Sequence, residues 1–123
     1  MIRALAAGAA LLLAACGPSL ATRYEAGNNA LSYGDGPMYF VVISPILRDA
    51  LNTCIPPGTP GASPTLVLVA DVDGTGKVHD LEVRPRSPGS ECVAGQLTRR
   101  PLPKPPLAPG AVFFPIGLRI DTR

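Results

Sequence analysis

The sequence predicts a small α+β domain, in which an antiparallel sheet has two helices on one face and the elements follow the order β-α-β-β-α-β. Runs rich in β-branched and aromatic residues alternate with segments of helical period. Two of these runs flank a glycine-rich turn typical of a hairpin. The length of 123 residues suits one domain, and no internal repeat suggests another architecture.

The first strand and helix are predicted in the segment before residue 55. Residues 38–43 (MYFVVI) have the composition of a strand. Ser44 and Pro45 favour a helix start, because serine caps free amides and proline suits the first helical position. Apolar residues then recur four apart as far as Cys54, and the sequence Ile-Pro-Pro-Gly ends the helix.

A β-hairpin is predicted next, with strands at residues 65–72 and 77–84. The turn at residues 73–76 (DGTG) contains two glycines, which can adopt positive φ angles. The second strand alternates between apolar and charged residues except at His79 and Asp80. This irregularity predicts a β-bulge.

The C-terminal third predicts a short helix, an extended proline-rich stretch and a last strand. Ser90 is a candidate cap for a helix over residues 90–97. Residues 101–109 are proline-rich and should be extended, and residues 112–120 (VFFPIGLRI) form the last strand. Because Pro115 has no N–H to donate, this strand should lie at an edge or contain a bulge.

The N-terminus has a positive charge at Arg3, an apolar run over residues 4–13, and Cys16 directly after Leu-Ala-Ala. It resembles the signal peptide and lipobox of bacterial lipoproteins. The resemblance implies that residues 1–15 are removed and that Cys16 becomes the lipidated first residue. A membrane-spanning helix is the alternative, but a span needs about 20 apolar residues, more than this run provides.

The resemblance also implies a location. Acyl chains such as palmitate would hold the protein in the cell envelope, with its domain in the periplasm. Gly17, rather than aspartate, follows Cys16, which favours the outer membrane. Residues 16–37 are rich in glycine and asparagine and predict a flexible tether, so the folded domain is expected at residues 38–123.

Three cysteines are present, and lipidation of Cys16 would leave Cys54 and Cys92 as a pair. In an oxidising compartment these two residues should form a disulfide. Two buried free thiols are the alternative. A metal site is less favoured, because His79 is the sole histidine and no Cys-x-x-Cys occurs.

The hairpin and the segments after it resemble the C-terminal domain of TonB-like energy transducers. The resemblance rests on a Gly-x-Val-x-x-Leu-x-Val pattern at residues 76–83, on Ser-Pro-Gly at 87–89, and on Arg-Pro-Leu-Pro at 100–103. It implies an α+β module whose edge strand takes up an extended peptide. The chain has no Tyr-Pro element before the first helix, and a lipid anchor replaces the transducers' membrane helix. We therefore expect the module without energy transduction.

Composition argues against two function classes. The formal net charge is +2, or +1 once Arg3 is removed with the signal peptide, so no basic field suggests a nucleic-acid partner. No Gly-x-Ser-x-Gly, phosphate loop or paired acidic motif occurs, and on a strand Asp80 would point away from His79. We therefore predict neither an enzyme nor a bound cofactor.

A calcium loop is a weaker alternative at the hairpin. Asp71, Asp73 and Glu82 occupy positions 1, 3 and 12 of an EF-hand-like spacing. An EF-hand needs a helix on each side, whereas the flanking residues here are strand-like. The sequence therefore favours a hairpin turn with polar loop residues.

The predicted function is that of a noncatalytic protein-binding module of the cell envelope. The lipid anchor would contact the membrane, and an envelope protein or extended peptide would pair with the edge strand. The candidate edge residues are Val112, Phe113, Phe114, Ile116 and Leu118. A structural envelope lipoprotein without a specific ligand, or a small hydrolase, remains an alternative.

Overall fold

The computed structural model describes residues 17–122, which form three helices and one antiparallel three-stranded sheet. The elements in chain order are α1 (Leu20–Ser32), α2 (Gly36–Cys54), β1 (Thr65–Asp73), β2 (Val78–Arg84), α3 (Pro88–Thr98) and β3 (Phe113–Asp121). The strand order is β2-β1-β3. The α+β class is confirmed, but the described part begins with two helices and its sheet has three strands instead of four.

The hydrophobic core lies between the sheet and helices α2 and α3. Leu66, Leu68 and Val72 alternate along β1 and are buried on this face. Val93 and Leu97 of α3 and Ile43 and Leu47 of α2 belong to the same cluster. Two helices therefore cover one face, as predicted.

The predicted bulge is present in β2. Val69 pairs with Glu82, and Asp71 pairs with His79, so Asp80 and Leu81 together face the single residue between Val69 and Asp71. Asp80 has a φ of 51°, a left-handed conformation that aspartate tolerates. The extra residue lets Val78 and Val83, five positions apart, both point into the core.

Residues 38–43 are helical, so the predicted first strand is wrong. Tyr39, Ile43, Leu47 and Ala50 are buried on one side of α2, a spacing that fits a helix and not a strand. Pro45 lies inside the helix. The hydroxyl of Ser44 donates to the carbonyl oxygen of Phe40 (2.6 Å), so Ser44 does not cap a helix start.

The segment predicted as a flexible tether contains α1. Ser19 caps this helix, since its hydroxyl oxygen accepts from the Thr22 N–H (3.2 Å). The helix crosses the sheet face opposite the core, where a Cβ on Gly27 would overlap the backbone of Ile116 and Gly117. Close backbone packing of α1 on β3 therefore makes residues 20–32 part of the folded domain.

Helix α3 begins earlier than predicted and is tied to α2. Ser87, not Ser90, is the cap, because its hydroxyl oxygen accepts from the Ser90 N–H (3.0 Å). The structure joins Cys54, the last residue of α2, to Cys92 of α3, with a Cα–Cα distance of 5.5 Å and a sequence separation of 38 residues. In the chain-entropy model, closing such a loop stabilises a fold by about 3–4 kcal/mol.

The proline-rich residues 101–109 form an extended connector packed against the domain. The Leu102 N–H donates to the Gly76 carbonyl oxygen (2.8 Å), and the Tyr39 hydroxyl donates to the Pro103 carbonyl oxygen (2.9 Å). Burial raises the pKa of Tyr39 to about 12, so this hydroxyl keeps its proton at physiological pH. The connector thereby brings the chain back to the sheet as β3.

Candidate functional site

Strand β3 lies at the edge of the sheet, as its proline predicts, and pairs with β1 alone. The Thr122 N–H donates to the Pro64 carbonyl oxygen (3.0 Å). The backbone groups of Thr122 therefore point inward, that is, towards the chain segment that contains β1. Inward and outward residues alternate in an antiparallel ladder. The backbone N–H and C=O groups of Gly117, Arg119 and Asp121 therefore point outward.

This alternation explains why β3 can contain Pro115. Pro115 falls in the same outward register as Gly117, so its missing N–H removes no bond to β1. The free donors and acceptors of the edge are consequently concentrated in its C-terminal half, beyond the proline.

A groove of about 420 Å³ lies between α2 and this half of β3. Helix α2 contributes residues spaced three or four apart, and β3 contributes consecutive residues along its edge. The residues that line the groove are Phe40, Ser44, Leu47, Arg48, Leu51, Asn52, Ile55, Pro57, Leu118, Arg119, Ile120, Asp121 and Thr122.

The groove combines apolar side chains with a charged rim. Phe40, Leu47 and Leu51 supply apolar surface from α2. Arg48 is exposed, and no carboxylate lies within ion-pair distance of it among residues 17–122. Arg119 alternates along β3 with the core-facing Leu118, and its guanidinium carbon lies 5.7 Å from the ring centroid of Tyr24 on α1, so its charge lies on the face of the sheet away from α2. The groove therefore suits an apolar side chain with a negative group nearby.

The five candidate edge residues named from the sequence do not all have side chains that face this groove. Phe114, Ile116 and Leu118 are buried in the core. Val112 is exposed and precedes β3, and Phe113 packs edge-on against the His79 ring with centroids 5.3 Å apart. Only the backbone of this strand is available for strand addition.

Sequence analysis does not predict the α2 side of the groove, because Phe40 falls in the predicted strand and the predicted helix begins only at Ser44. The helical spacing of Phe40, Ser44, Leu47 and Leu51 is the signal that could have revealed it. The other candidate position, Cys16, lies outside the described residues.

The three calcium-loop candidates are engaged by protein groups. Asp71 and Glu82 both face Arg23 of α1, at 3.9 Å and 3.2 Å, and Glu82 also contacts Arg84 (3.1 Å). Asp73 accepts from the hydroxyl (2.5 Å) and the N–H (2.8 Å) of Thr75. Within residues 17–122, no group of three or more acidic, histidine or cysteine side chains is arranged to hold a metal ion.

His79 and Asp73 form the one histidine–carboxylate contact in the described part of the chain, with Nε2 and Oδ2 2.8 Å apart. The hydrogen bonds from Thr75 and His79 hold the pKa of the Asp73 carboxyl well below its usual range. The Thr75 hydroxyl donates to Asp73 and not to His79, so no hydroxyl nucleophile is bonded to the imidazole. The pair therefore fastens the hairpin turn.

Comparisons with known proteins found no matching family model, curated protein or solved structure. Among the helices within residues 17–122, none has the length and apolar character needed to cross a membrane. The site is therefore defined by its own geometry, namely an outward-facing backbone edge beside an apolar groove with Arg48 at its rim.

Proposed function

We propose that this protein is a lipid-anchored, noncatalytic binding module of the bacterial cell envelope, in which an extended peptide adds to the free edge of β3. One observation is central to the proposal. The outward N–H and C=O groups of Arg119 and Asp121 lie beside the groove between α2 and β3. An added strand would satisfy these groups through main-chain hydrogen bonds, which provide affinity without a fixed sequence.

Side chains of the added peptide would supply specificity. In a paired strand, every second side chain points to the same face of the sheet. Those on the α2 side would enter the groove next to Phe40 and Leu51, while Arg48 would attract a carboxylate close to it. The groove therefore favours an extended segment that has apolar residues at alternate positions and an acidic group.

Two sequence features support the envelope setting. The apolar run that ends at Cys16 has the form of a lipoprotein signal. The Gly-x-Val-x-x-Leu-x-Val pattern at residues 76–83, Ser-Pro-Gly at 87–89 and Arg-Pro-Leu-Pro at 100–103 resemble the C-terminal domain of TonB-like energy transducers. The same resemblance implies the proposed mode of binding, in which an extended peptide pairs with an edge strand.

The proposal is tested with two substitutions at one position of the edge. A phage-displayed library of 12-residue peptides would be selected against the oxidised, lipidated protein in detergent micelles. Affinities of the enriched peptides would then be measured for Arg119→Pro and Arg119→Ala. Arg119→Pro removes an outward N–H together with the side chain, whereas Arg119→Ala removes the side chain only. We expect at least a tenfold weaker affinity for Arg119→Pro than for Arg119→Ala.

A second pair of variants tests the groove. Phe40 lines it, whereas Met38 is exposed on α2 outside it. Phe40→Ala should weaken binding severalfold, and Met38→Ala should leave it unchanged. Failure to enrich any peptide, or equal binding by Arg119→Pro and Arg119→Ala, would overturn the proposal.

A further inference from the structure

Helix α1 changes how far the domain can lie from a lipid at Cys16. Only Gly17, Pro18 and Ser19 separate that cysteine from the helix. Three extended residues span at most about 10 Å. A tether of this length would keep the domain close to the bilayer instead of letting it reach across the periplasm.

Several contacts hold the start of α1 on the sheet. The Arg23 guanidinium contacts Glu82 (3.2 Å) and donates to the Asp80 carbonyl oxygen (2.5 Å). A Cβ on Gly117 would overlap the Tyr24 backbone oxygen, so the helix lies directly on β3. Melting α1 to lengthen the tether would expose these groups, and the short connection is therefore a property of the folded state.

The start of α1 and the groove lie on opposite sides of the domain. The first turn of α1 lies on the sheet face that carries Val69, over β1 and the N-terminal half of β3, where Thr22 and Arg23 adjoin Asp71 and Pro115. The groove lies along the C-terminal half of β3, on the opposite face of the sheet, which α2 covers. A membrane that holds the α1 side close would consequently leave the groove open.

The outer side of α1 allows close approach to a flat surface. Its exposed residues are small and include a single charge, and they are Ala21, Thr22, Glu25, Ala26, Asn29 and Ser32. No bulky side chain on this side would separate the helix from lipid headgroups. Attraction to the bilayer would come from the acyl chains and not from this face.

We propose that the domain rests on the bilayer with α1 towards the lipid and the groove facing away, so that the segment it binds must come within reach of the same membrane. This inference rests on the proposed function. A domain of this size is about 35 Å across, so the groove would lie within about 45 Å of the headgroups. The extended segment that fills it must emerge within that distance of the bilayer.

The orientation is testable with fluorophores on the two sides of the domain. Single cysteines would be introduced as Glu25→Cys on α1 and Val41→Cys on α2, both at exposed positions, and labelled in the oxidised protein. The lipidated protein would be placed in vesicles of phosphatidylethanolamine and phosphatidylglycerol that contain a headgroup spin label. We expect severalfold stronger quenching at position 25 than at position 41.

A lengthened tether provides the matched control. Inserting twenty Gly/Ser residues between Gly17 and Pro18 adds about 25 Å of mean reach and should abolish the difference in quenching. Equal quenching without the insertion, stronger quenching at position 41, or absence of acyl groups on Cys16 would overturn the orientation. Peptide affinity in detergent micelles does not depend on orientation, so it separates this failure from failure of the binding proposal.

Discussion

Gly27 determines where α1 lies, although it contributes no side chain. Its Cα approaches the backbone of Ile116 and Gly117 so closely that no Cβ would fit between them. Gly95 of α3 provides a contrast, because a Cβ there would meet only the flexible end of Arg99 at 3.7 Å. The same residue type therefore has opposite consequences in two helices.

Gly27→Ala should destabilise the domain by about 3 kcal/mol, near the upper end of overpacking costs, because the helix must move away from β3. The melting temperature should fall by more than about 10 °C. Gly95→Ala should instead stabilise by about 0.5–1 kcal/mol, since alanine has less backbone freedom in the unfolded chain and therefore loses less entropy when the helix forms. Thermal melts followed by circular dichroism measure both; similar melting temperatures for the two variants would contradict the packing of α1 on β3.

The contribution of Asp73 to the stability of the hairpin turn depends on pH. Because hydrogen bonds from Thr75 and His79 lower its pKa in the folded state, Asp73 stabilises the fold above the carboxyl's usual pKa of about 4. This contribution is lost as the pH falls through and below that value. Asp73→Asn should therefore lower the melting temperature at pH 7, and the difference from the unmodified protein should shrink between about pH 5 and pH 2. A difference that stays constant down to pH 2 would mean that the carboxylate charge is not involved.

At the scale of elements, α2 shows how helical packing overrides local strand propensity. Its first three turns contain no charged residue between Gly36 and Leu47, and their β-branched and aromatic residues favour a strand. The core accepts only the side of the helix that includes Tyr39 and Ile43. The strand and helix assignments differ in where they place Val41.

A lysine at position 41 distinguishes the two assignments. In a strand, Val41 would share the face of Tyr39 and Ile43, whereas in α2 its side chain is exposed by 62%. Val41→Lys should change the free energy of unfolding by no more than about 0.5 kcal/mol. Ile43→Lys should cost more than about 4 kcal/mol, because the charge would be buried. Denaturant unfolding provides the measurement. Severe destabilisation by Val41→Lys would contradict the helix and support the strand assignment.

Sequence reasoning succeeded where side chains determine the structure. The apolar–charged alternation between Val78 and Val83 is interrupted at His79 and Asp80, and this interruption predicted the bulge in β2. Pro115 predicted that β3 lies at the edge of the sheet. It failed at α1, because the buried residues of that helix are Gly27 and Leu31, so no apolar period marks it. The groove was not predicted because Phe40 falls in the predicted strand, and because the recurrence of Leu47 and Leu51 indicates a core face of a helix as readily as a groove.

On the scale of the whole molecule, the helix next to the proposed anchor and the proposed binding groove lie on opposite faces of the sheet. The start of α1 lies on one face, and the groove lies beyond β3 towards α2. The Cys54–Cys92 bridge ties α2, which forms one wall of the groove, to α3. Export would supply both the acyl chains and the oxidising conditions that this arrangement requires.

The most direct test of this account is the intact mass of the protein isolated from cell envelopes, measured with and without reductant. We predict that the chain begins at an acylated Cys16 and gains the mass of two hydrogens on reduction, because Cys54 and Cys92 are oxidised. A cytoplasmic protein that retains Met1 and has three free thiols would contradict the anchor, the bridge and the envelope setting together.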